Sequence, residues 1–111
     1  HTLFPYTTLF RSHEIAARQM SDFGGMISFE LKDDRIEKAV DVLKGTNVFT
    51  LAESLGGVES LIEHPASMTH ASIPAEEREK IGLTDSLIRI SVGVEELEDL
   101  MSDLDQALAE V

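Results

Sequence analysis

Leu87-Ile88-Arg89-Ile90-Ser91-Val92-Gly93 is the stretch on which the reading of this chain turns. From Ser86 to Val92 the residues alternate at the period of a β-strand, with Ile88, Ile90 and Val92 on one face and Leu87, Arg89 and Ser91 on the other. The first set is a plain core face. The second puts a guanidinium in mid-strand between apolar neighbours, where burial is costly unless an anion accompanies it. A carboxylate matches the donor fork of arginine through two parallel hydrogen bonds. With 21 acidic residues in the chain, an internal Asp or Glu is the favoured anion on sequence physics alone. A bound ligand carboxylate, or a side chain that reaches into solvent, are the other readings.

Upstream of that strand, Met26 to Leu31 alternates too, with Ile27, Phe29 and Leu31 on one face after the Gly24-Gly25 turn. Ile36, Ala39, Val40 and Leu43 then fall at i, i+3, i+4 and i+7, an amphipathic helix that Asp33-Asp34 can cap and Gly45 can stop. Val48 to Glu53 reads as a second strand. Val58 to His64 reads as a short helix ended by Pro65, and Ser67 to Ile73 as either strand or ordered loop. Pro74-Ala75-Glu76-Glu77 opens another short helix that ends at Gly82. A short helix over His13 to Met20 comes first. A long one carrying Leu97, Leu100, Met101, Leu104 and Leu108 comes last. The predicted class is α+β: a small antiparallel or mixed sheet covered by helices on one face.

Composition narrows the function. The 111 residues suffice for one domain with one modest core, 42% of them hydrophobic and 5% aromatic. Nine Lys and Arg against 21 Asp and Glu give a formal charge of −12, which opposes binding to nucleic-acid phosphates or to anionic membrane surfaces. With no Cys, disulfides, thiolate nucleophiles and Cys-based metal sites are excluded. No apolar run approaches the roughly 20 residues of a membrane span. A cytoplasmic protein is expected.

Other candidate groups are less specific. Ser54-Leu55-Gly56-Gly57 is a glycine turn of the kind that can aim N–H groups at an anion, although most such turns only turn. His64 and His70 have no helical metal-ligand spacing, so structural or surface histidines are expected, and no metal. The acidic runs Glu76-Glu77 and Glu95-Glu96-Glu98-Asp99 read as solvated first turns of helices.

Two resemblances reach further. Thr2 to Ser12 resembles the translation of a common sequencing-library adapter, so residues 1–12 are set apart as a non-native segment and 13–111 as a C-terminal domain of a larger enzyme. From Glu14 onward the chain resembles the end of the Cys/Met-metabolism pyridoxal-phosphate enzymes, the cystathionine γ-synthases and γ-lyases. The segments that carry the likeness are Arg18-Gln19-Met20, Phe23-Gly24-Gly25-Met26, Thr50 to Leu61, Ile62 to Ala71, and Leu87 to Gly93. Asp22, where many relatives have Gly, is a departure that touches no motif residue.

The resemblance implies the C-terminal domain of a fold-type I pyridoxal-phosphate enzyme. Its activity would be γ-replacement or γ-elimination on a sulfur amino acid, with the cofactor as electron sink. By the same likeness Arg89 binds the substrate α-carboxylate, Ser54 helps hold it, and Glu53 faces the distal part of the substrate, as in cystathionine-handling members. β-Lyases and O-acetylhomoserine-using relatives are ranked behind these. Catalytic and cofactor-binding residues are expected outside this stretch, the stretch alone is expected to be inactive, and a homotetrameric parent is expected. A standalone, non-catalytic α+β binding module is the competing reading.

Overall fold

The computed structural model describes residues 3–5, 13–21, 24–68 and 71–109. Asp22, Thr69 and His70 lie outside them. The elements in chain order are β1 (Leu3–Pro5), α1 (His13–Gln19), β2 (Met26–Leu31), α2 (Ile36–Gly45), β3 (Thr50–Leu51), β4 (Leu61–Glu63), α3 (Ala75–Lys80), β5 (Leu87–Ser91) and α4 (Leu97–Leu108). The strands form one sheet in the order β1-β2-β5-β4-β3, antiparallel throughout except for the parallel pair β3–β4. The mixed sheet and its helical cover agree with the α+β expectation.

Register explains why the sheet has two unlike faces. Ile27 lies opposite Ile90, Phe29 opposite Ile88, and Ile62 opposite Ile90. These residues pack with Ala39, Val42 and Leu43 of α2 and Leu100, Ala107 and Leu108 of α4 into the core. Where α2 and α4 cross, Gly45 lies so close that a methyl added to it would meet the Cα and Cβ of Ala107 at 3.4 Å. On the other face stand Ser28, Glu63, Arg89 and Ser91, since Ser28 and Glu63 both register on Arg89. That face is not left to solvent. Leu87, Ser91, Leu61 and Glu63 are all buried, so β5 is covered on both sides rather than on one.

Several local expectations are corrected. The short helix over Val58 to His64 is instead the buried strand β4, because a slot between β3 and β5 takes Leu61-Ile62-Glu63 at the strand period. Tertiary burial here overrides a run that is ambiguous by pattern. The strand read over Val48 to Glu53 contracts to Thr50–Leu51. Neither Asp33 nor Asp34 caps α2, whose N-cap is Arg35. Asp33 forks onto the Arg35 guanidinium instead (2.6–3.1 Å), and that hydrogen bonding holds its carboxyl down to about 2. In α4 the buried stripe is Leu100, Asp103, Ala107 and Leu108, while Leu97 and Met101 face outward. Leu3–Pro5, set apart by the sequence reading, pairs with Phe29–Leu31 at the edge of the sheet. Backbone hydrogen bonds alone can add such a strand, whatever its side chains.

Candidate substrate-carboxylate site

Arg89 lies in the middle of β5, and the residue directly across on β4 is Glu63. The two form an ion pair, Nη2 of Arg89 to Oε1 of Glu63. The Glu63 side chain is 3% exposed and that of Arg89 26%, so the pair is shielded on the glutamate side and open on the arginine side. An internal carboxylate is therefore the resident partner of Arg89, as its strand environment demands. Glu63 is a residue the sequence reading passed over. It carries the same signature as Arg89, one charge inside an apolar run, but a helix reading of Val58 to His64 hid its register.

The Ser54 turn reaches this face through the parallel pairing. Thr50 and Leu51 run alongside Leu61 and Ile62 in the same direction, so the connection between them has to return along the strands. It returns over the Arg89 face: the Gly56 N–H donates to Ser91 Oγ at 2.8 Å, and Ser91 is two residues along β5 from Arg89. Gly56 has φ +75°, a conformation that favours glycine. Glu53 and Ser54 stand at the start of this return, both exposed, and neither makes a hydrogen bond to Arg89 among the described residues.

The far end of the return is clamped. Ser60 donates its N–H and its O–H to the Glu95 carboxylate (2.9 and 2.7 Å), and its Oγ accepts the Gly93 N–H at 2.8 Å. Those two Ser60 hydrogen bonds hold the Glu95 carboxyl below the usual range. Glu95 is thus turned inward, unlike the solvated first-turn acid expected of it. Gly93 crosses this segment so closely that a Cβ would fall 2.6 Å from the Glu59 carbonyl carbon and 2.8 Å from the Ser60 nitrogen. The glycine that ends the motif is needed for that crossing.

His64, next to Glu63, is fully buried. Its Nε2 faces the Asp85 carbonyl oxygen at 2.6 Å and its Nδ1 faces Ser67 Oγ at 2.7 Å. A carbonyl only accepts, so Nε2 donates to Asp85, and in the tautomer with one ring proton the Ser67 hydroxyl donates to Nδ1. Arg78 of α3 ties the following loop, donating from Nη1 to the carbonyls of Ala66 and Ile73 at 3.1 Å. Among the described residues no group of His, Asp and Glu could hold a metal. No helix among them is long and apolar enough to cross a membrane.

The model of the family described as Cys/Met metabolism PLP-dependent enzyme matches residues 1–109. The chain belongs to the Cys/Met-metabolism PLP-dependent enzymes. Within that family it is 66% identical over 96 residues to the cystathionine beta-lyase of Lactococcus lactis subsp. cremoris, covering 86% of this chain and 25% of that protein. The cystathionine gamma-lyase of Dictyostelium discoideum is 52% identical over 106 residues, 96% of this chain and 27% of that protein. Among solved structures, the cystathionine gamma-lyase of Lactobacillus plantarum complexed with L-serine superposes with a TM-score of 0.85 at 44% identity, over 98% of this chain and 28% of that one. The chain thus spans about a quarter of the length of the relatives it matches. The relatives include both a β-lyase and a γ-lyase.

Pyridoxal phosphate is the cofactor of the family, and the residues described do not fit it by themselves. A phosphate needs cations or a nest of free N–H groups. Beside the site the one such cation is Arg89, already paired. Lys38 and Lys44 lie on α2, behind the sheet, and Lys80 closes α3. Lys32 follows β2, four residues from Ser28 and so roughly 13 Å along the strand from the level of Arg89.

Proposed function

We infer that this chain, residues 13–111, is the substrate-binding domain of a pyridoxal-phosphate enzyme that acts on cystathionine or a closely related sulfur amino acid. Its task there is to hold the substrate α-carboxylate. The observation that carries this reading is the placement of Arg89. It is the cation on a strand face where Glu63 and Ser91 are its buried polar neighbours beside the apolar Leu61 and Leu87, with its outer side open and the Ser54 turn folded back across the same face. In this reading Arg89 meets the carboxylate through the donors that Glu63 leaves free. The Ser54 hydroxyl adds a neutral donor, and Glu53 lies toward the distal part of the substrate. A relative that is complexed with L-serine is consistent with an α-amino-acid ligand.

The parent protein would be a homotetramer of the cytoplasm, with γ-lyase or γ-synthase activity as the leading readings and β-lyase activity behind them. Residues 1–12 stand outside the natural protein in this reading. The test is a titration of the ¹⁵N-labelled chain with L-serine and with cystathionine. Shifts centred on Arg89 and the Ser54 turn are expected, weakened about tenfold or more in Arg89→Lys, where the planar fork is lost. Shifts that ignore that substitution would reject the assignment and favour a non-catalytic binding module. The γ- and β-activities are separated by product analysis of a polypeptide that carries this chain together with the remaining three-quarters of the family's length.

A further inference from the structure

We propose that Glu63 is the positioning residue of the carboxylate site: it aims the Arg89 guanidinium and, by competing for it, sets how tightly an incoming carboxylate is held. The proposal rests on the reading of Arg89 given above. The Glu63 side chain is 3% exposed, against 26% for Arg89, so it is the more confined partner. Its backbone belongs to β4, with strands on both sides, and Ile62 and His64 around it are fully buried. Arg89 is the longer and more exposed partner, so the fixed carboxylate dictates where the guanidinium lies.

The pair is also incomplete. Both carboxylate oxygens of Glu63 and Nε of Arg89 are buried, and beyond the ion pair itself they have no hydrogen-bond partner among the described residues. Orphaned polar atoms are uncommon in a folded interior, and three of them at one ion pair mark a place where a further group belongs. Nε–H needs an acceptor, which a ligand carboxylate supplies. That carboxylate then shares one cation with Glu63 and sits close to its anion. Two like charges roughly 6 Å apart oppose each other appreciably even at an effective dielectric near 20. After screening at the open side, Glu63 lowers carboxylate affinity about tenfold. Such a site grips a carboxylate firmly enough to orient it and weakly enough to release it.

Acetate serves as the probe, with the full chain labelled with ¹⁵N and ¹³C. In the native chain the Arg89 Nε–H and the Glu63 Cδ signals are expected to move together with one dissociation constant. In Glu63→Gln, which keeps the shape and removes the charge, acetate is expected to bind about tenfold more tightly. A merely structural glutamate would change neither quantity. If Arg89 responds while Glu63 Cδ stays still, or if Glu63→Gln binds acetate no better, the proposal is overturned and the carboxylate reading of Arg89 survives. If neither signal moves, that reading falls and the proposal with it. The native-chain signals decide the matter even if Glu63→Gln does not fold.

Discussion

Asp103 and Phe49 lie 54 positions apart and are joined by a hydrogen bond of 2.9 Å from the Phe49 N–H to Oδ2 of Asp103. The same carboxylate accepts the N–H groups of Asn47 and Val48, each at 2.7 Å. A side chain of α4 thereby closes the loop that delivers the chain into β3. Asp103 is 4% exposed, so the three N–H groups have no ready substitute partner. Burial pushes the pKa of its carboxyl up, but the N–H groups of Phe49, Asn47 and Val48, with Gln106, outweigh it and hold the pKa below the ordinary value.

Asp103→Asn should therefore destabilise the fold by about 2 kcal/mol at neutral pH, because one oxygen becomes a donor facing a donor. The sign of the pH effect is set by the lowered pKa. The stabilisation is complete above the unfolded value of 3.8 and is lost as the pH falls through the lower folded value. Urea unfolding at pH 7 and near pH 3 should show the gap between native chain and variant closing at the acidic end. An unchanged gap would mean the carboxylate charge is not what closes the loop.

Gly93→Ala tests the crossing over Val58 to Ser60. A methyl there cannot fit without moving backbone, at a cost of about 2–3 kcal/mol. The Gly56 N–H of the neighbouring turn, bonded to Ser91 of β5, should then exchange its hydrogen faster than in the native chain. Unaltered stability and protection would show that the 58–60 segment yields freely.

The Glu63–Arg89 pair should behave as a buried ion pair. Arg89→Met strands a buried carboxylate and should cost about 3 kcal/mol, while adding Glu63→Leu to the same chain should recover most of the loss. A double-mutant cycle in urea measures this coupling. Additive losses would place the two side chains out of contact.

His64 gives a spectroscopic check. Long-range ¹H–¹⁵N correlation should find the neutral ring protonated on Nε2, as the Asp85 carbonyl requires. His64→Phe keeps the bulk but orphans that carbonyl and the Ser67 hydroxyl, and should lower stability by about 2 kcal/mol. A proton on Nδ1 would contradict the assigned pairing.

Sequence and structure agree where one periodicity dominates. Met26 to Leu31 and Leu87 to Ser91 alternate cleanly and are β2 and β5, and Pro74 and Gly82 bracket α3 as turn chemistry suggests. Disagreement begins where a charged or polar residue sits on a buried face. Glu63 made a central strand look like a helix fragment, and Asp103 left the inner stripe of α4 to be drawn through Leu97 and Met101 instead. Each has partners far away in sequence, Arg89 for one and residues 47–49 for the other, and no local pattern encodes such a partner. Of the candidate site, Arg89 was legible from its neighbours alone. Ser54 and Glu53 emerged only by likeness to a family.

The parallel run of β3 and β4 also constrains how such a site can diverge. Two strands pointing the same way oblige the chain to travel home before setting out again, and residues 52–60 are that homeward leg. Its two ends are anchored, by the Ala52 N–H to the Ile62 carbonyl at 3.2 Å and by Ser60 to Glu95. Lengthening or shortening it would displace the Gly56 turn from Ser91, whereas exchanging exposed side chains such as Glu53 or Leu55 leaves the path intact. Descendants of this chain can vary the exposed letters of that leg one at a time, without redrawing the route.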